Sequence, residues 1–185
     1  MIDVNQLRRG TTYTEDGDLL KVLSYNHIKT GRGGGTVRVG VRNLRTGSTT
    51  EKTYNTGSRV QDVRLEAVEM EYLYEDGTFL TFMDNETYEQ PQLSKSIFGD
   101  DTHYIKEGTV VKLLRYEGEI IDYELPSSMD FAVTESEMAI VGDRANNPTK
   151  KVTVETGLVV QVPMFVEVGD TIRVKTEDGT YVTRV

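Results

Sequence analysis

The chain contains no cysteine, which excludes a disulfide framework and any thiolate metal site. Histidine is nearly as scarce, with only His27 and His103. A nucleophilic triad would need one of them beside an activated Ser and a carboxylate, and neither lies in a hydrolase-type elbow. His27 has no acidic neighbour in sequence, His103 follows Asp100-Asp101 in a turn-like stretch, and the His-x-x-x-His spacing of a zinc helix is absent. Catalysis by the protein's own side chains is therefore not expected, nor is a metal or other cofactor. No apolar run approaches membrane-spanning length. The opening residues, Met1 to Leu7, lack the basic-then-apolar pattern of a secretory signal, so the expectation is a soluble cytoplasmic protein without membrane contact.

Helical periodicity is also nearly missing; Gln92–Ile97 is the one stretch expected to make a short helical turn. What remains is strand. Asp16-Gly17, Asp76-Gly77 and Asp178-Gly179 each sit between β-prone runs, as tight hairpin turns do. Residues 71–74 and 78–83 form the clearest hairpin. Further strands are expected over 19–25, 36–41, 109–116, 119–125, 129–134, 158–162 and 171–176. Many short strands at regular spacing indicate an all-β chain of small barrels rather than a parallel sheet. Boundaries fall near Arg64–Glu66, where the charge changes sign, and near Pro126-Ser127-Ser128, giving pieces 1–64, 65–126 and 127–185. Pieces of that size fold alone only marginally, so packing between neighbours is expected.

The net charge of −9 is unevenly spread. Residues 1–64 hold eleven Lys/Arg against six Asp/Glu, a net +5; residues 65–126 hold four against fifteen, a net −11; residues 127–185 hold six against nine, a net −3. A basic first piece can engage phosphates, whereas an acidic middle repels them or simply keeps the chain soluble.

In the basic piece, residues 26–38 place Arg32 inside a glycine-rich loop, with Gly31, Gly33, Gly34 and Gly35 around it and His27 and Lys29 on the stem. The loop lacks the Lys-Ser/Thr ending of a P-loop, and a strand rather than a helix follows it, which excludes the dinucleotide fingerprint. A plain hairpin tip and a reaching cationic loop both fit these residues. A second loop, residues 142–151, is long, polar and partly basic. Its Arg and Lys side chains suit phosphates and its Asn side chains suit base edges, while Asn146-Asn147-Pro148 is equally good turn chemistry.

Several separate stretches stand in order along the chain: Met83-Asp84-Asn85-Glu86-Thr87-Tyr88-Glu89-Gln90, Tyr104-Ile105-Lys106-Glu107-Gly108, residues 155–165 (Glu-Thr-Gly-Leu-Val-Val-Gln-Val-Pro-Met-Phe), Val168-Gly169-Asp170 and residues 179–185. Together they carry an end-to-end resemblance to the bacterial translation elongation factor P family. The resemblance implies an SH3-like (KOW-like) barrel followed by two oligonucleotide-binding (OB-fold) barrels, in an L-shaped, tRNA-like arrangement. It implies a monomer that binds the ribosome beside peptidyl-tRNA and relieves stalling at consecutive prolines. Arg32 then corresponds to the tip that reaches the tRNA acceptor end, supported by His27, Lys29, Gly31, Gly33, Gly34 and Gly35. The loop of Gly142, Asp143, Arg144, Asn146 and Asn147 corresponds to one that approaches messenger RNA and the small subunit. Lys29, Arg38, Tyr181 and Arg184 are weaker contact candidates, and Arg38 and Arg42 fit solvated strand positions equally well.

Two departures qualify the resemblance. Many members carry a modified lysine within Pro-Gly-Lys-Gly, where this chain has Thr30-Gly31-Arg32-Gly33. Lysine-directed modification is thereby excluded. Some members carry a rhamnosylated arginine, but the flanking residues here differ, so modified and unmodified Arg32 both stay open. Arg144-Ala145-Asn146-Asn147 also replaces the usual Thr-Ala-x-Gly-Gly type of loop, which leaves Gly142 and Asp143 as the messenger-side positions that carry over. The competing reading is a non-ribosomal adaptor that binds protein through its acidic middle piece.

Overall fold

Alternating apolar and polar residues build this chain as antiparallel sheet. The computed structural model describes residues 1–29, 31–138 and 148–185. They fall into two compact units, Met1–Val68 with Leu113–Asp122, and Glu69–Lys112 with Tyr123–Val185.

The first sheet contains β1 (Ile2–Asp3), β2 (Thr12–Glu15), β3 (Asp18–Ile28), β4 (Thr36–Asn43), β5 (Thr49–Asn55) and β6 (Arg59–Asp62), in the order β1-β6-β2-β3-β4-β5. Asp16-Gly17 joins β2 to β3 with φ of 53° and 87°, the left-handed pair whose twist matches a hairpin. Val37, Val39 and Val41 of β4 are fully buried with Val4, Leu7, Tyr13 and Val22, while the intervening Arg38, Gly40 and Arg42 face the other way. The Tyr13 and Tyr54 hydroxyls meet at 2.8 Å and Lys52 pairs with Glu15. Burial is the main cause that pushes both phenols above their ordinary range, so both stay protonated and one hydroxyl donates to the other.

The second sheet has the order β11-β10-β7-β8-β9, with β7 Glu66–Glu75, β8 Phe79–Met83, β9 Gln92–Ser94, β10 Val110–Tyr116 and β11 Glu119–Glu124. The expected helical turn over residues 92–97 is corrected here. Gln92–Ser94 pairs with β8, which buries Leu93, and α1 spans Lys95–Phe98 before Gly99 ends it at φ 52°. A 3-10 turn follows over Gly99–Tyr104. Phe98 packs against Phe82 at 5.6 Å and against Tyr123 at 4.4 Å, which gives the helix its reason to sit there.

The third sheet has the order β14-β13-β12-β15-β16, with β12 Ser128–Ser136, β13 Thr149–Val154, β14 Val159–Pro163, β15 Thr171–Lys175 and β16 Tyr181–Arg184. Thr149, Lys150 and Lys151, expected in the polar loop, instead open β13 and pair with Pro163, Val162 and Gln161. The ladder reaches that far because Val152 and Val154 are held in the core around Phe131. Lys106 caps this core: its Nζ donates to Asp130 O at 2.6 Å, pairs with Glu155 Oε1 at 3.0 Å, and lies 5.3 Å from the Phe131 ring centroid.

Candidate functional site

The β3–β4 hairpin carries the loop singled out above. Its pairing runs from Leu20↔Asn43 at the base to Ile28↔Thr36 at the top, with a register shift between Val22 and Ser24. Inward residues of the lower ladder are buried, whereas Asn26, His27 and Ile28 at its upper end are exposed. The loop that follows is therefore held away from the core by a ladder that begins within it.

Lys29 and Arg32 are exposed, and neither has an ion pair or hydrogen bond among the described residues. Gly33 and Gly34 take φ of 99° and 133°, values that explain glycine at these two positions. On the strand side, Gly35 O accepts hydrogen bonds from Thr56 N at 2.9 Å and from the Thr56 hydroxyl. One hairpin thus brings together His27, Lys29, Arg32 and the loop glycines. Among the described residues no carboxylate partners Arg32, which leaves its guanidinium able to meet an external anion or ring face.

The other sequence candidates are dispersed. Gly142, Asp143, Arg144, Asn146 and Asn147 lie outside the described residues. Arg38 is paired with Glu51 at 3.2 Å, and Arg42 is half-buried on the same strand. Tyr181 is half-buried and packs on the core of the third sheet. Arg184 sits 5.2 Å from the Phe165 ring centroid and 3.6 Å from Asp170. His103 places Nδ1 3.1 Å from Asp100 O in its 3-10 turn. Among the described residues no group of three His, Asp or Glu side chains could hold a metal ion, and no helix is long and apolar enough to cross a membrane. Thr56 is the one participant that sequence reading missed; it lies twenty-one positions from Gly35, in a turn after a strand of unreadable pattern.

Comparison with protein-family models accounts for nearly the whole chain in three consecutive segments. Residues 3–60 match the elongation factor P KOW-like domain, residues 65–123 the elongation factor P OB domain, and residues 129–184 the elongation factor P C-terminal domain. The chain belongs to the elongation factor P family. As a member of that family it is a translation factor, all-β in architecture, and its KOW-like segment is the one that carries Arg32. Among solved structures it is similar to eukaryotic translation initiation factor 5A from Methanococcus jannaschii, at 22% identity over 68% of this chain and 90% of that one, with a TM-score of 0.49. A translation initiation factor 5A family protein from Naegleria fowleri is 15% identical, over 67% of this chain and 96% of that one, with a TM-score of 0.44.

Proposed function

We propose that this elongation factor P family member binds the ribosome beside peptidyl-tRNA and promotes peptide-bond formation at consecutive prolines, with Arg32 holding the tRNA acceptor end. The observation that carries this reading is an exposed guanidinium, without a partner among the described residues, on a glycine loop at the far end of the β3–β4 ladder. Proline's ring restricts the geometry of both peptide donor and acceptor. The ribosome supplies the catalytic centre, and the factor contributes orientation, an effect worth up to roughly 7–11 kcal/mol in ideal cases. Arginine suits the task because it stays charged, can fork to a phosphate and can stack on a base. Glycines around it remove side chains that would obstruct passage between RNA segments.

The family resemblance supports three further parts of the reading. The chain divides into domains 1–64, 65–126 and 127–185. Gly142 and Asp143 approach messenger RNA. The factor acts as a cytoplasmic monomer.

The test is reconstituted translation of a message with three consecutive prolines, using the purified unmodified chain and Arg32→Ala. Relief of stalling by the parent and at least tenfold loss in Arg32→Ala is the expected outcome. Equal activity of the two overturns the role of Arg32. Inactivity of the unmodified parent alongside activity of protein from its native host would assign a required modification to the chain. Binding to ribosomes should weaken as salt rises, because phosphate contacts release counterions; salt-insensitive binding that ignores Arg32 would favour the adaptor reading.

A further inference from the structure

Three of the four glycines around Arg32 stand in open space. A Cβ built on Gly31, Gly33 or Gly34 meets nothing within 4 Å. Gly35 differs: a Cβ there would lie 2.9 Å from His27 Nε2, 2.9 Å from Thr56 Oγ1 and 3.2 Å from Ile28 O. Its φ lies outside the left-handed region, so backbone conformation does not demand glycine at this position. Space demands it. Gly35 is enclosed on one side by β3, through the His27 ring and the Ile28 carbonyl, and on the other by Thr56, just beyond the end of β5.

We infer that Thr56 is a positioning residue for Arg32, clamping the foot of the loop at Gly35 against the His27 wall. The inference rests on the function proposed above for the loop and adds how its tip is aimed. The last paired residues of β4 and β5 are Thr36 and Asn55. Thr56 N extends this ladder by one bond, and the Thr56 hydroxyl adds a second donor to the same Gly35 carbonyl. An ordinary ladder end would supply only the first. A glycine-rich segment otherwise has the largest backbone freedom to lose when it docks. Fixing its foot lowers that loss and confines where Arg32 can point. Since a misplacement of about 1 Å can cost roughly a hundredfold in an oriented reaction, this confinement matters more to the rate of the bound complex than to binding itself.

Two variants separate the clamp from general stability. Thr56→Val removes the hydroxyl donor while keeping shape and the backbone N–H. Gly35→Ala keeps an allowed backbone but drives a methyl group into the space held by Thr56 Oγ1 and the His27 ring, beside a carbonyl that cannot swing away. Amide 15N relaxation of Gly33, Gly34 and Gly35 in the free protein is the primary readout. Increased motion in both variants, with Thr56→Ser restoring the parent behaviour, is expected; unchanged relaxation overturns the clamp. In triproline translation, both variants should lower the maximal rate of stall relief about tenfold. The factor concentration at half effect should change less than about twofold. Thr50→Val, an exposed threonine elsewhere on β5, should leave both unchanged. Parent-like maximal rates in Thr56→Val and Gly35→Ala also overturn the clamp. If Arg32→Ala retains full activity, the function reading fails, and the relaxation data still decide the clamp.

Discussion

Replacing Lys21 by methionine should destabilise the unit that contains it by about 2 kcal/mol, a value set between two limits. Lys21 Nζ lies 2.6 Å from Asp122 Oδ2, with the two side chains 27% and 9% exposed. Asp122 is the one buried charged residue among the described residues. Fully exposed pairs contribute about 0.2–1 kcal/mol, whereas breaking a fully buried pair costs about 3–5 kcal/mol because a charge is left without compensation. Methionine keeps the apolar stem of lysine, so the loss reports the ammonium group. For a unit of this size about 2 kcal/mol corresponds to a fall in Tm of roughly 8–16 °C. Urea unfolding followed by far-UV circular dichroism would measure it. Asp122→Asn and the double variant complete a cycle whose coupling should be about 1 kcal/mol or more. A Lys21→Met change below about 0.5 kcal/mol, together with coupling below about 0.3 kcal/mol, would refute the assignment of Asp122 as a buried charge that depends on Lys21.

Phe131→Ala, at a fully buried position in the third sheet's core, should cost about 3–5 kcal/mol in the same assay. Arg173 donates to both Asp130 oxygens, at 2.7 and 3.0 Å, and its guanidinium holds the Asp130 carboxyl below the usual carboxylate range. A depressed folded pKa stabilises the fold above the unfolded carboxylate value of about 3.9 and loses that contribution as pH falls through the lower folded value. The Tm of Arg173→Met should therefore lie below the parent's at neutral pH, with the gap narrowing under acid. A gap that is constant with pH would contradict this.

How much of the fold could be read in the residues depended on how clearly each strand separates its two faces. β4 alternates valine with polar residues, and its position was legible. β5, Thr-Thr-Glu-Lys-Thr-Tyr-Asn, turns only Lys52 and Tyr54 inward, and this polar strand left no periodic signal. β13 was masked by Lys150 and Lys151, which look like loop residues until β14 pairs with them. The Asp-Gly signals located turns but not their lengths. Asp16-Gly17 makes a two-residue turn, while Asp76 N reaches Phe79 O, so Thr78 belongs to the turn and β8 starts one residue later than expected. The loop around Arg32 was legible because glycine spacing is a local property. The Thr56 contact was not, because it depends on β5, a strand that the pattern did not reveal.

The bulge between Val22 and Ser24 makes the upper hairpin a lever arm. Opposite it, Gly40 N donates to Ser24 Oγ at 3.2 Å, and a side chain at Gly40 would meet that oxygen at 2.5 Å. From Ser24 to Ile28 the arm is about 13 Å long at the rise of an antiparallel strand, with the loop beyond it. A change of about 5° at the bulge would move the loop by about 1 Å or more, a displacement of the size to which oriented reactions are sensitive. The position of the loop thus depends on close packing well below it, where Gly40 of β4 meets Ser24 across the bulge.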